Sequence, residues 1–170
     1  MRRGGVSAQS LQALVDEAET LQKFKITISA KKHNEFKKET EKLEGPGQFL
    51  RHYAPDIDSY LFRGEFQKPD EHSVPLDKCV IIDFAGQLLH LREHVKDYAD
   101  LSASGSFFEA ISNLYDILRW AETHKDAQAV LIVDLLHFQQ TGAIGQDQEG
   151  NEHKEALFDR IYRATTGRLI

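Results

Sequence analysis

The chain has 170 residues, 41% of them hydrophobic and 28% charged, enough for one domain with a real core. A formal net charge of −6 argues against a broad nucleic-acid surface, and the single cysteine, Cys79, excludes an internal disulfide and fits a reducing compartment. No apolar run approaches membrane-spanning length and Met1-Arg2-Arg3 leads into glycines, so the sequence reads as a cytoplasmic protein with no membrane partner.

Arg2-Arg3-Gly4-Gly5-Val6 starts with turn residues and reads as the tail of a preceding element. Ser7 caps a predicted helix over 7–19, with Leu11, Leu14, Val15 and Ala18 on one stripe. Phe24-Lys25-Ile26-Thr27-Ile28 alternates apolar and polar residues and reads as a half-exposed strand. Residues 31–44 mix lysine with glutamate and read as a solvated connector. The stretch Gly45-Pro46-Gly47-Gln48-Phe49-Leu50-Arg51-His52-Tyr53-Ala54-Pro55 carries two of the four prolines, and no hydrophobic periodicity passes through it. It places aromatic, cationic and titratable groups on an extended segment, which is either a packed linker or a contact loop.

Ser59-Tyr60-Leu61-Phe62 reads as a short strand, and residues 67–75 as a polar loop. Residues 78–84 form a continuous apolar run, the mark of a strand buried on both faces, within which Cys79 is a buried, inert thiol. Gly86 turns the chain into a predicted helix carrying Leu88, Leu89, Leu91 and Val95, reaching about Tyr98 and broken by residues 100–105. A stronger helix follows, with Phe107, Phe108, Ile111, Leu114, Tyr115 and Leu118 on one face and Trp120 at its far end. Residues 129–135 are a second fully buried strand, 141–151 a glycine-bearing loop, and 152–165 a closing helix that buries Leu157, Phe158, Ile161 and Tyr162. This alternation predicts an α/β fold, a three-layer Rossmann-like sandwich with a mostly parallel sheet and an N-terminal linker arm, its strand order open.

Two site readings arise from the residues alone. His90-Leu91-Arg92-Glu93-His94 has the spacing of a zinc-binding helix, with Glu93 as base and a third ligand from Glu149 or Glu152. A five-residue pattern in a chain with eight histidines is weak, and no metal site is expected. Secondly, Asp83 and Asp134 end the two buried strands where open α/β sheets bind ligands, and Gly86 opens the next element. With Arg119 and Arg163 facing the same crevice, these five would make an independent nucleotide- or small-ligand-binding module.

The proline-flanked stretch also resembles the Pro-Gly-x-x-x-Arg-His-Tyr-Ala-Pro linker of long-form threonylcarbamoyl-AMP synthases. Tyr98-Ala99-Asp100-Leu101-Ser102-Ala103-Ser104-Gly105 resembles that family's Tyr-x-Asp-Leu-Ser-x-x-Gly turn. Glu109-Ala110 through Asn113-Leu114-Tyr115-Asp116-Ile117-Leu118-Arg119 is similar to its Glu-Ala-x-x-Asn-Leu-Phe-x-x-Leu-Arg helix, and residues 156–164 to its Ala-x-x-Asp-Arg-Leu-x-Arg-Ala ending. Gln48 and Leu50 stand where the linker usually has methionine and tyrosine, and Asn151-Glu152-His153-Lys154-Glu155 replaces a glycine-rich turn. No stretch resembles the Lys-Arg and Ser-x-Asn motifs with which the YrdC-type catalytic domain binds ATP and threonine.

The resemblance implies residues 1–55 as a linker region leading from an absent YrdC-type domain and 56–170 as an α/β accessory domain. The complete enzyme joins threonine, bicarbonate and ATP, with Mg, into threonylcarbamoyl-AMP for tRNA threonylcarbamoyladenosine. This chain is then not catalytic alone and holds no cofactor itself. Its partner is a YrdC-type domain in cis or in trans, with tRNA contact an open matter. Pro46, Gly47, Arg51, His52 and Tyr53 become the groups that gate the neighbouring active site.

Overall fold

Two five-residue runs, Cys79–Asp83 (β2) and Ala129–Val133 (β4), are buried at every position and form the centre of the structure. Strands with apolar side chains on both faces need a layer on each side, which an all-parallel sheet provides. The computed structural model describes residues 8–18, 54–66, 74–142 and 151–170. Among these, Ser59–Phe62 (β1) and Asp97–Asp100 (β3) complete a four-stranded parallel sheet in the order β1-β4-β2-β3. Val80 pairs with Asp97 and Val130, and Ser59 with Val130, so β2 and β4 fill the middle. The architecture is the expected three-layer α/β sandwich.

The helix Phe107–Glu122 (α2) starts at Ser106, whose hydroxyl accepts from Glu109 N at 3.3 Å. It buries Phe107, Ala110, Ile111, Leu114, Leu118 and Ala121, while Phe108 and Tyr115 are 57% and 49% exposed. At ~100° per residue those two aromatics lie about a quarter-turn from the core stripe, which corrects the single face read from the sequence. Asn151–Thr165 (α4) packs on α2 and β1 and buries Ala156, Leu157, Ile161 and Ala164, with Phe158 and Tyr162 only half-buried. Phe107 ties the layers together, stacked on Phe84 at 4.9 Å between centroids and edge-on to Phe158 at 6.3 Å.

The helix expected after Gly86 is instead a turn followed by the three-residue-per-turn helix Leu89–His94 and then β3. Ala85 and Gly86 both take positive φ, 55° and 67°, which no α-helix continues. Lys96 N then donates to Cys79 O at 2.9 Å, drawing the chain into register beside β2. The spacing of Leu88, Leu91 and Val95 suits three residues per turn nearly as well as 3.6. The strand read over 129–135 also stops earlier than expected. Asp134 accepts from His137 N at 3.3 Å and caps a short helix, Leu135–Gln140 (α3).

Ala8–Glu17 (α1) is helical as expected, although Leu14 of its apolar stripe is 61% exposed. The expected strand 24–28, the connector 31–44, the linker up to Tyr53, and most of the loops 67–75 and 141–151 lie outside the described residues. Cys79 is fully buried, and burial pushes its thiol up to about 11, as an inert core cysteine requires.

Helix α4 ends with Thr166 N donating to Arg163 O at 3.3 Å and Gly167 N to Tyr162 O at 2.9 Å. A Cβ on Gly167 would meet the Tyr162 ring at 2.5 Å, so glycine is required there. Thr166, at φ 52°, holds the left-handed position that glycine usually takes in this cap. Thr166→Gly is therefore expected to stabilise the fold by about 0.5–1 kcal/mol, seen as a rise of ~2 °C in the thermal unfolding midpoint. The chain then runs alongside β1, with Leu61 N donating to Arg168 O at 2.7 Å and Ile170 N to Leu61 O at 3.2 Å.

Candidate functional site

A parallel sheet delivers the ends of all its strands to one edge. Here, in sheet order, β1 leads into Arg63, β4 leads into Asp134, and β2 and β3 end in Asp83 and Asp100. Asp83 is fully buried. Its Oδ1 accepts from Phe84 N at 2.7 Å, and its Oδ2 from Leu88 N at 2.8 Å and the Tyr98 hydroxyl at 2.6 Å. Burial lifts its carboxyl above the usual range; these three donors oppose the lift and the nearby Asp100 charge adds to it. Tyr98 is pushed up in turn, by burial and by its bond to Asp83.

Asp100 supports the same turn from the other side, accepting Gly86 N and Ser102 N, each at 2.9 Å. Ser102 and Ser104 both donate to Glu109, which holds that carboxyl below its ordinary value. Ser106 N donates to Ser102 Oγ at 2.9 Å, and Asn113 Nδ2 to Leu101 O at 3.0 Å. The stretches 98–105 and 109–113 thus form one hydrogen-bonded knot joining β3, the turn after β2 and the start of α2. Sequence reading singled out Asp83 but gave Tyr98, Asp100 and Arg63 no role in the site. The signal was a charged residue at or just after the end of every strand.

The structure brings Asp83 and Gly86 together at this edge and sets Asp134 on the neighbouring strand. Asp134 is engaged, its Oδ2 at 2.8 Å from Arg63 Nε while its Oδ1 caps α3. Arg119 and Arg163 are elsewhere. Helix α2 runs from the carboxyl end of β3 back to the amino end of β4, and α4 runs back towards the start of β1, so both arginines lie near the opposite edge. Arg119 donates to the Tyr115 hydroxyl at 3.3 Å, and Arg163 pairs with Asp159 at 2.8 Å. The five residues do not converge on one crevice.

His90 and His94 sit in the helix Leu89–His94. With three residues per turn, positions four apart point ~120° away from each other rather than along one face. Among the described residues no group of three or more His, Cys, Asp or Glu is arranged to hold a metal ion. Within the same limits, no helix is long and apolar enough to cross a membrane.

Of the linker, the structure describes Ala54 and Pro55. Pro55 is buried, and Asp56 N donates to Glu122 Oε1 at 3.3 Å. Asp58 O accepts from Val130 N at 2.8 Å, and its carboxylate meets Arg168 at 3.0 Å. Arg168 in turn lies over the Tyr60 ring at 4.7 Å. These residues border a shallow depression of about 180 Å³, lined by Ala54, Pro55, Asp58, Ala164, Thr166 and Arg168. The residues directly after the linker are thus held to α2 through Asp56, and to β4 and Arg168 through Asp58. Pro46, Gly47, Arg51, His52 and Tyr53 lie outside the described residues.

Residues 6–166 match the family model described as Threonylcarbamoyl-AMP synthase, C-terminal domain. No curated protein and no solved structure matches the chain.

Proposed function

The chain belongs to the family of threonylcarbamoyl-AMP synthase C-terminal domains, and we propose that it serves a YrdC-type catalytic domain as an accessory module whose linker gates that domain's active site in tRNA threonylcarbamoyladenosine formation. The anchoring of residues 54–58 carries the reading. A segment can act as a flap on a neighbour only if one end is held by a rigid body, and Asp56 and Asp58, directly after the linker, are held by Glu122 of α2, Val130 of β4 and Arg168. The committed carboxylates at the sheet edge suit a scaffold, since Asp83 and Asp100 spend their oxygens on their own turn.

In this reading the catalytic domain binds ATP with Mg, threonine and bicarbonate, and this chain supplies the closing groups. Arg51 pairs with a phosphate or carboxylate, and His52 and Tyr53 donate hydrogen bonds. Closure keeps water from a labile carbamate and adenylate.

The test adds the chain to the matching catalytic domain and follows threonine- and bicarbonate-dependent pyrophosphate release. The parent chain is expected to change the rate, with His52→Ala and Tyr53→Ala each losing about tenfold of that effect, the equivalent of one hydrogen bond. The absence of both binding and any change in rate would overturn action in trans. Retained affinity of the isolated chain for ATP or AMP would instead favour a ligand-binding module.

A further inference from the structure

Helix α2 buries one stripe and shows another. Phe108, Ser112, Tyr115, Arg119 and Glu122 recur at steps of four, three, four and three residues, so they share one face beside the core stripe. Phe108 is 57% and Tyr115 49% exposed, and Arg119 is exposed, its guanidinium 5.8 Å from the centre of the Tyr115 ring. Phe108 meets His153 of α4 edge-on at 5.5 Å, and the Nδ1 of His153, closed off from solvent, has no hydrogen-bond partner among the described residues.

We infer that this α2 stripe, with Phe108, Tyr115 and Arg119 as anchors, is the surface that docks the YrdC-type catalytic domain. The inference rests on the accessory-module reading and adds where the two bodies meet. Three observations select this stripe over the other exposed large apolar residues among the described ones, Leu14, Leu89, Leu136 and Leu169, each of which stands alone on its own segment. Phenylalanine, tyrosine and arginine in contact are the residue types enriched at interface centres. Glu122, at the foot of the stripe, accepts the backbone N–H of Asp56, so the chain from the N-terminal side enters the domain on this same face. A catalytic domain joined through that segment lies within reach of the stripe at its entry point. Lastly, Arg119 sets a cation between the Tyr115 ring and Glu122 on this stripe, which suits a carboxylate- or carbonyl-bearing patch on the partner.

The test measures binding of the full chain to the matching catalytic domain by calorimetry, with circular dichroism melts to confirm that each variant folds. Phe108→Asp and Arg119→Glu are each expected to weaken binding more than tenfold, and Leu136→Asp to change it less than twofold. Arg119 is on the surface, so its variant stays informative even where Phe108→Asp lowers stability. Parent binding that neither stripe variant weakens would overturn the docking surface while leaving the accessory reading in place. An absence of parent binding would overturn the docking surface together with action in trans.

Discussion

Asp83→Ala is expected to lower the unfolding free energy by about 3–5 kcal/mol, measured by urea denaturation near pH 7. The alanine removes both oxygens that Phe84 N, Leu88 N and the Tyr98 hydroxyl donate to, stranding three donors at a fully buried position. The turn these bonds hold contains Ala85 at φ 55°, a conformation that persists only while its surroundings enforce it.

Tyr98→Phe isolates one donor and gives the effect a pH signature. Burial lifts the folded carboxyl of Asp83, so the folded chain keeps that proton to higher pH than the unfolded chain does. The cost of the buried charge is absent in acid and complete above the lifted value. The Tyr98 hydroxyl reduces that cost chiefly for the ionised form. The loss caused by Tyr98→Phe is therefore expected to be small below the ordinary carboxylate range, near ~4, and to grow as pH rises, reaching about 2 kcal/mol at neutrality. Glu109 and Asp126, whose carboxyls are held low by the Ser102 and Ser104 hydroxyls and by Lys96, slope the other way. They do so in parent and variant alike and cancel in the difference. A difference that stays flat across pH would show that Tyr98 only packs.

The second large effect lies where the layers meet. Phe107→Ala is expected to cost about 3–5 kcal/mol by the same measurement, because a side chain 1% exposed leaves a cavity between Phe84 and Phe158. Phe107→Leu, which fills much of that volume, should recover more than half of the loss. The neighbouring Phe108→Ala should cost under 1 kcal/mol, which tests directly that adjacent phenylalanines in one helix have different roles.

The comparison of these neighbours shows what the sequence could carry. Continuous apolar runs marked β2 and β4 correctly, because burial on both faces leaves no place for a polar residue until the strand ends. The long helices were visible for the same reason, their apolar spacing being imposed by packing. Strand β3 was not visible. Four residues reading Asp97-Tyr98-Ala99-Asp100, half-exposed at one side of the sheet, look like a turn until β2 supplies the pairing. Nor could spacing show that Asp83 and Asp134 would be committed to N–H groups and Arg63, since those partners are fixed by strand order. The two arginines were drawn into the same crevice because a sequence does not reveal which end of a helix returns to which edge. The motif stretches 98–105 and 109–113 were legible as a resemblance, and only the knot of Tyr98, Asp100, Ser102, Glu109 and Asn113 gives them a physical reason.

The two flanks of the sheet share a property that bears on how this chain behaves among many copies of itself. Along β3, the Asp97 carboxylate takes the Tyr98 N–H at 2.8 Å and places negative charge on the outermost strand. Beyond β1, residues 168–170 occupy the backbone groups of Leu61 on both sides of the peptide. Among the described residues neither margin offers a long row of vacant amides, so strand-by-strand annealing between molecules finds no ready template there. Side chains, which select by shape and charge, are left to decide what sticks to this domain. Many copies of such a domain can then crowd together without joining through the edges of their sheets.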